Sequence, residues 1–245
     1  MSKLNLEVCL TPALLHLHDI RESIVVVIDI FRATSSICYG IESGAKAIIP
    51  VETIESCKSY QGSNFLLAAE RNGEVVDGFD FGNSPFAYSP EKVKGKTIVL
   101  TTTNGTRAIH AAQEAHTIAI GSFLNLDVLC SWLKTEHRSI CLLCSGWKGK
   151  TNLEDTLFAG AIVDRLQNAD YKLDDASILA ADLYTLAKGN LWEYLKKSSH
   201  SERLKKLHIE EDIAFCLHEN KTTSIPVLKG NKLVKMDSKV VLKSA

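Results

Sequence analysis

The chain has 245 residues, 45% of them hydrophobic and 23% charged, and carries a formal net charge of −1 at pH 7. This is the composition of a soluble globular protein, and its balanced charge favours neither nucleic acid nor a membrane surface as a partner. MSKLNLEVCLTP lacks the apolar region of a signal peptide, and no apolar run approaches the ~20 residues of a membrane span, so the seven cysteines read as reduced thiols of a cytoplasmic protein.

Strand-like and helix-like segments alternate for most of the length. Residues 5–10, 24–30, 46–51, 65–70, 97–102, 117–121 and 139–144 read as strands, with helices over 33–43, 53–60, 106–115 and 124–136 between them. This rhythm, with its short connections, predicts an α/β fold in which a mostly parallel sheet is covered on both faces. The connection 71–95, rich in Gly, Pro and Asp, reads as a functional loop. After residue 150 the texture turns helical, over 153–168, 175–187, 190–197, 201–206 and 209–218. Two short strands follow, 225–228 and 232–235, paired through the turn Lys229–Gly230–Asn231. No repeat or domain boundary is visible, so the helix-rich C-terminal part is expected to pack on the same sheet and residues 1–245 to form one domain.

A parallel sheet gathers the carboxyl ends of its strands along one edge, where open α/β sheets bind ligands. Five such ends carry polar residues. The segment VVVIDIFRATS, residues 25–35, is an apolar run that ends on Asp29 and turns through Arg32 into a helix start. Asp29 is either a metal-capable carboxylate beside an anion cradle, or a helix cap paired with Arg32. Glu70-Arg71-Asn72-Gly73 is either a binding loop or a salt-bridged surface turn, and the later GFDFGNSP either lies over a ligand or plugs an edge of the core. Thr101-Thr102-Thr103-Asn104-Gly105-Thr106-Arg107 supplies hydroxyls, an amide, backbone N–H groups and a forked cation with no acceptor charge, which is what a phosphate or sulfonate needs. Ser122 and Asn125 read as caps of the next helix. In Cys144-Ser145-Gly146-Trp147-Lys148-Gly149-Lys150, leading to Glu154 and Asp155, the two acids either complement a helix dipole or complete an oxygen-ligand Mg²⁺ site.

Other motifs fail. Cys141 and Cys144 share one strand and have no second pair, which argues against zinc. Cys144 to Lys150 has the spacing of a thiol-phosphatase loop but lacks its Arg and His. Asp29 lacks the second Asp two residues on that a haloacid-dehalogenase nucleophile needs, because Phe31 stands there. His16 and His18 straddle a turn and read as structural.

Taken together, VVVIDIFRATSS, AERNG with GFDFGNSP, TTTNGTRA and CSGWKGKTNLEDTLFAGA resemble, in this order and spacing, the 2-phosphosulfolactate phosphatase family. The resemblance spans about Leu6 to His218. It implies a three-layer α/β/α fold with a mostly parallel or mixed sheet, often dimeric. It also implies a Mg²⁺-dependent phosphohydrolase acting on 2-phospho-3-sulfolactate, a step linked to coenzyme M formation. Carried over by motif, Asp29, Glu70, Glu154 and Asp155 are the metal-ligand candidates. Arg32, Thr102, Asn104, Gly105, Thr106 and Arg107 match positions suited to phosphate or sulfonate, and Arg71, Lys148 and Lys150 join the two arginines as counter-charges for a small anionic substrate. Asp29, Arg32 and Arg107 are the residues expected to carry the chemistry. A phosphatase for another small phosphorylated carboxylic acid, or a non-catalytic anion-binding protein, are the alternatives.

Overall fold

Five consecutive aliphatics, Ile24–Ile28, form a strand whose every side chain is buried, and the rest of the sheet is built outward from it. In the computed structural model, which describes residues 3–167, 169–200 and 209–237, the strands are β1 (Leu4–Cys9), β2 (Ile24–Ile28), β3 (Ala47–Pro50), β4 (Phe65–Arg71), β5 (Glu74–Val75), β6 (Thr97–Thr101), β7 (Thr117–Gly121), β8 (Ile140–Cys144), β9 (Tyr171–Leu173), β10 (Pro226–Lys229) and β11 (Lys232–Lys235). The helices are α1 (Ala33–Glu42), α2 (Ile54–Lys58), α3 (Pro90–Val93), α4 (Gly105–Ala111), α5 (Leu126–Thr135), α6 (Leu153–Leu166), α7 (Asp175–Ala187), α8 (Leu191–Leu195) and α9 (Glu210–Cys216). The expected strands and helices fall on these elements with ends moved by a few residues. The helix expected at 201–206 lies outside the described residues.

Strand order is β5-β4-β6-β3-β11-β10-β7-β2-β8-β1-β9. Alternation along the strands serves two apolar layers. Ile24, Val26 and Ile28 pack with Leu129, Phe158 and Ile162 of α5 and α6. Val25 and Val27 pack with Ile37 and Ile41 of α1 and Ile109 of α4. The sheet is therefore covered on both faces, as an α/β pattern of buried strands requires.

The sheet is mixed, within the mostly parallel or mixed arrangement expected, and falls into two parallel blocks. β4, β6 and β3 form one parallel block, and β7, β2, β8, β1 and β9 another. Between them stands the C-terminal hairpin, with β10 antiparallel to β7 and β11 antiparallel to β3. Three successive antiparallel pairings make the two blocks run in opposite directions. In a flat sheet the carboxyl ends of β2 and β6 would then lie on opposite edges. Twist removes the difficulty: over the five pairings from β6 to β2, at about 20–25° each, it accumulates to roughly 100–125°. Helix α1 touches β3, β7, β10 and β11, and residues from the ends of both blocks, Asp29 after β2 and Glu70 of β4, line one cavity.

Two glycines mark close approaches that shape the site and the helical layer. A Cβ on Gly105, where α4 begins, would lie 2.7 Å from Ala33 Cβ and 2.8 Å from Asp29 Oδ2. A Cβ on Gly160 would lie 1.9 Å from the Ala180 carbonyl oxygen, so α6 and α7 touch backbone to backbone. Gly-to-Ala inside a helix ordinarily gains about 1 kcal/mol. At Gly160 the clash reverses the sign, and Gly160→Ala is expected to cost about 1–3 kcal/mol, read as a lower urea midpoint at unchanged slope; a higher midpoint would contradict the close α6–α7 contact.

Candidate active site

Asp29 follows β2 and is 9% exposed at the base of a cavity of about 220 Å³. Phe31, Arg32, Glu70, Asn72, Gly73, Asn83, Asn104, Trp147, Lys148 and His200 complete the lining. The backbone around Asp29 is fixed by Thr34, whose hydroxyl accepts the Asp29 N–H at 3.0 Å and whose own N–H donates to the Asp29 carbonyl at 3.0 Å. The carboxylate accepts from the Ala33 N–H at the start of α1, so Asp29 caps the helix and faces the cavity at once. Burial, then the charge of Glu70, push its carboxyl up to about 7. His200 and the Ala33 N–H act in the opposite direction, and Glu154 adds to the rise.

The four predicted acids do converge, from three element ends: Asp29 after β2, Glu70 near the end of β4, and Glu154 with Asp155 in the first turn of α6. Glu70, the penultimate residue of β4, accepts from the Gly73 N–H at 2.5 Å and from the Thr103 N–H at 3.3 Å. Asp155 is fully buried in the first turn of α6, where its two oxygens accept from the Ile30 N–H at 2.9 Å and the Gly146 N–H at 3.1 Å. Burial, Asp29 and Glu154 hold its carboxyl well above the usual range. Glu154 is also fully buried, with Oε1 paired to His200 Nδ1 and Oε2 left without a partner among the described residues.

The predicted cations separate. Arg32 is 5% exposed and lines the cavity, but its partner is not Asp29: Nη1 pairs with Asp212 of α9, and Nη2 donates to the Gly73 carbonyl at 2.8 Å. Lys148, at φ 50°, stands on the exposed Trp147–Lys150 turn at the rim, with its N–H 3.5 Å from Asn104 Oδ1. Arg71 points along the sheet, donating to the Glu70 carbonyl at 2.7 Å and Thr101 Oγ1 at 3.0 Å. Arg107 is exposed and lines an adjoining groove with Thr11, Asn104, Ser145 and Gly149. Thr102 and Thr106 satisfy each other: each hydroxyl accepts the other's N–H, at 3.1 and 3.2 Å, and Thr106 Oγ1 also donates to the Thr102 carbonyl. Gly105 allows α4 to reach Asp29, and Asn104 reaches both cavities.

Sequence reasoning missed His200, Asp212 and Asn83. His200 stacks on Trp147 with ring centroids 5.6 Å apart and meets Phe31 edge-on at 6.0 Å. Asn83 is 6% exposed, and its Oδ1 has no partner among the described residues. Within GFDFGNSP, Phe81 enters the core, as one of the two readings expected, while Asn83 lines the cavity; Asn72 and Gly73 line it too, and Tyr88 enters the core. All seven cysteines are buried, and burial holds the Cys144 thiol well above its ordinary range, which leaves no thiolate at the cavity.

Among the described residues no three His, Cys, Asp or Glu side chains stand in metal-coordinating geometry. The donor set nonetheless suits a hard cation. Asp29 and Glu70 are carboxyl groups facing one small cavity, and Glu154 Oε2 is a buried oxygen with no partner among the described residues. Asp155 differs, since both its oxygens are occupied in joining β2, β8 and α6. Asp155→Ala leaves two buried backbone N–H groups unmade, each costing about 1–3 kcal/mol. The expected outcome is a loss of about 2–5 kcal/mol in urea unfolding; a loss below ~0.5 kcal/mol would be that of an ordinary surface position and would remove the brace.

The family profile described as 2-phosphosulpholactate phosphatase matches residues 9–231. A relative from Caldanaerobacter subterraneus subsp. tengcongensis, named "Probable 2-phosphosulfolactate phosphatase", is 42% identical over 217 residues, covering 86% of this chain and 90% of its own. A protein of the same printed name from Thermotoga petrophila is 45% identical over 204 residues, covering 83% of this chain and 88% of its own. One from Thermotoga maritima is 43% identical over 203 residues, with 83% and 88% covered. With a profile match over most of its length and relatives above 40% identity, the chain belongs to the 2-phosphosulpholactate phosphatase family and, with it, to the phosphoric monoester hydrolases.

Proposed function

We propose that the chain releases phosphate from 2-phospho-3-sulfolactate to give 3-sulfolactate, and that it does so with Mg²⁺. The observation that carries this is the lining of the 220 Å³ cavity, which brings the buried carboxylates of Asp29 and Glu70 together with Arg32, Asn104 and Lys148. A small substrate with three acidic groups needs cationic and amide donors around it. A floor of carboxylates would repel its phosphate unless a cation lay between them. Asp29 and Glu70 would hold that cation, with Glu154 Oε2 beside them. When bound, Mg²⁺ neutralises the carboxylates and polarises the phosphoryl oxygens.

The chain's own residues then have separable roles. Arg32, held by two partners, offers its remaining N–H groups to the anion in a fixed orientation. Trp147 and Phe31, packed on His200, exclude water from the cavity wall. Lys148 and Asn104 close the rim. Arg107, outside the cavity, contributes charge to the approach of an anion rather than to the reacting group.

The carboxylate cluster gives a test of the cation that needs no turnover. The folded Asp29 carboxyl titrates at about 7 against 3.8 when unperturbed. Between these values the folded protein keeps a proton that the unfolded chain has released, so stability falls as pH rises through the window and levels off above it. Metal-free protein should lose several degrees of Tm between pH 5 and pH 8, and Mg²⁺ should restore them at pH 8 but not at pH 5. Identical Mg²⁺ shifts at both pH values would dissociate the cation from these carboxylates.

Kinetics test the chemistry. EDTA should abolish phosphate release from 2-phosphosulfolactate and Mg²⁺ restore it. Asp29→Asn should fall at least ~100-fold in kcat with little change in KM, whereas Arg107→Ala should alter KM by no more than about threefold and leave kcat intact. Full activity after chelation, or normal turnover by Asp29→Asn, would overturn the reading.

A further inference from the structure

We propose that Asp212, on a helix far from the cavity in sequence, is the positioning residue of Arg32 and so sets the affinity of the site for its anion. The inference rests on the reading of Arg32 as an anion-binding group. Arg32 ends the β2–α1 turn with a side chain only 6% exposed, and Asp212 is 8% exposed. A guanidinium so far out of water is costly unless paired. Asp212 Oδ2 supplies the pairing at Nη1, and Asp212 Oδ1 is itself held by the Ser84 hydroxyl at 2.8 Å. On the other branch Nη2 donates to the Gly73 carbonyl at 2.8 Å. The fork is thus fixed from two sides, by partners 180 and 41 residues away in sequence, while a guanidinium carries five N–H donors in all.

The position of Asp212 decides how it acts. Arg32 and Asn83 line both the Asp29 cavity and a separate outer groove, whereas Asp212 lines only the outer groove. It stands behind Arg32, and a ligand in the cavity meets the guanidinium before the carboxylate. Asp212 therefore works through Arg32, by holding a flexible side chain in one orientation before the anion arrives. The same pair ties α9 to the start of α1, so a C-terminal helix becomes part of a site whose acids all come from the first 155 residues.

The test measures the Kd of inorganic phosphate by calorimetry with Mg²⁺ present, alongside KM and kcat for 2-phosphosulfolactate. Arg32→Ala should weaken phosphate about 100-fold, Asp212→Ala about tenfold, and the double variant no further than Arg32→Ala to within about twofold, because interaction through one shared partner is non-additive. Asp212→Asn, which keeps an acceptor oxygen, should recover most of the loss. Ser84→Ala disturbs Asp212 without emptying the site, so it keeps the proposal falsifiable if Asp212→Ala does not fold. It should weaken phosphate about threefold in the wild-type background and not at all beside Arg32→Ala. If Arg32→Ala binds phosphate normally, the anion-binding reading of Arg32 falls and the proposal with it. If Arg32→Ala is impaired but Ser84→Ala or Asp212→Ala is silent, or acts additively, the anion role stands and the positioning role is overturned.

Discussion

Four carboxylates share one nearly dry corner of this fold, and each buried negative charge must be matched by a donor or a cation or it will neutralise or unfold the protein. Much of the local structure follows from that demand. The β2–α1 turn presents the Ala33 N–H to Asp29 and the Ile30 N–H to Asp155. The turn at Gly73 and the loop at Thr103 present theirs to Glu70, and Gly146, at φ 60°, presents its N–H to the other oxygen of Asp155. His200 answers one oxygen of Glu154. Beyond these bonds, Asp29 and Glu70 line the cavity, and Glu154 Oε2 has no partner among the described residues. The deficit of positive charge is where a cation-dependent hydrolase would keep it.

Bringing these acids together is a problem of sheet geometry rather than of local sequence. Asp29 belongs to one parallel block, Glu70 to the other, and the blocks run in opposite directions. The hairpin β10–β11 joins them in the middle of the sheet although it is the last part of the described chain. Its Val227 and Leu233 enter different apolar layers, so the same short element completes both the hydrogen-bond ladder and the two cores. Helix α1 packs on these strands, and its Ser35 and Ser36 bury their hydroxyls by donating to the Ile30 and Asn83 carbonyls. These bonds fix the start of α1 against the β2–α1 turn, which carries both Asp29 and Arg32.

The sequence made the elements and the acids legible because both depend on short-range rules. Five aliphatics in a row, Ser-Thr helix starts and Gly-containing turns report local conformation, and acids at strand ends report a ligand edge. Pairings at long range left no comparable mark. Asp212 lies in Glu210-Glu211-Asp212, three acids that read as ordinary complements of a helix dipole, and nothing local reveals that one of them faces an arginine 180 residues earlier. His200 follows Lys-Lys-Ser-Ser, a surface-like stretch, yet it is 7% exposed between Trp147 and Phe31. The direction of the second block was also hidden, since alternating strands and helices are equally compatible with one parallel sheet or with two blocks joined by a hairpin. Thr102 and Thr106 show the converse: hydroxyls that look free for an anion in sequence satisfy each other's backbone in the folded chain.

On the proposed reading, the arrangement of charge also orients the substrate. The carboxylate floor attracts the phosphate only through a cation, so the phosphate end goes inward toward Asp29 and Glu70. Arg32, in the same turn as Asp29, then meets that phosphate, and Asn104 and the exposed Lys148 face the groups that the reaction leaves unchanged, a carboxylate and a sulfonate. An anchored guanidinium discriminates by geometry, since its fork is fixed by Asp212 and Gly73, whereas a lysine on an exposed turn contributes charge with little geometric demand. Recognition of the phosphate would accordingly reside at Arg32 and its supports, and the capacity for hydrolysis at Asp29. The two functions meet in a single turn, Asp29 to Arg32, whose backbone is held at Asp29 by Thr34 and at Ile30 by Asp155.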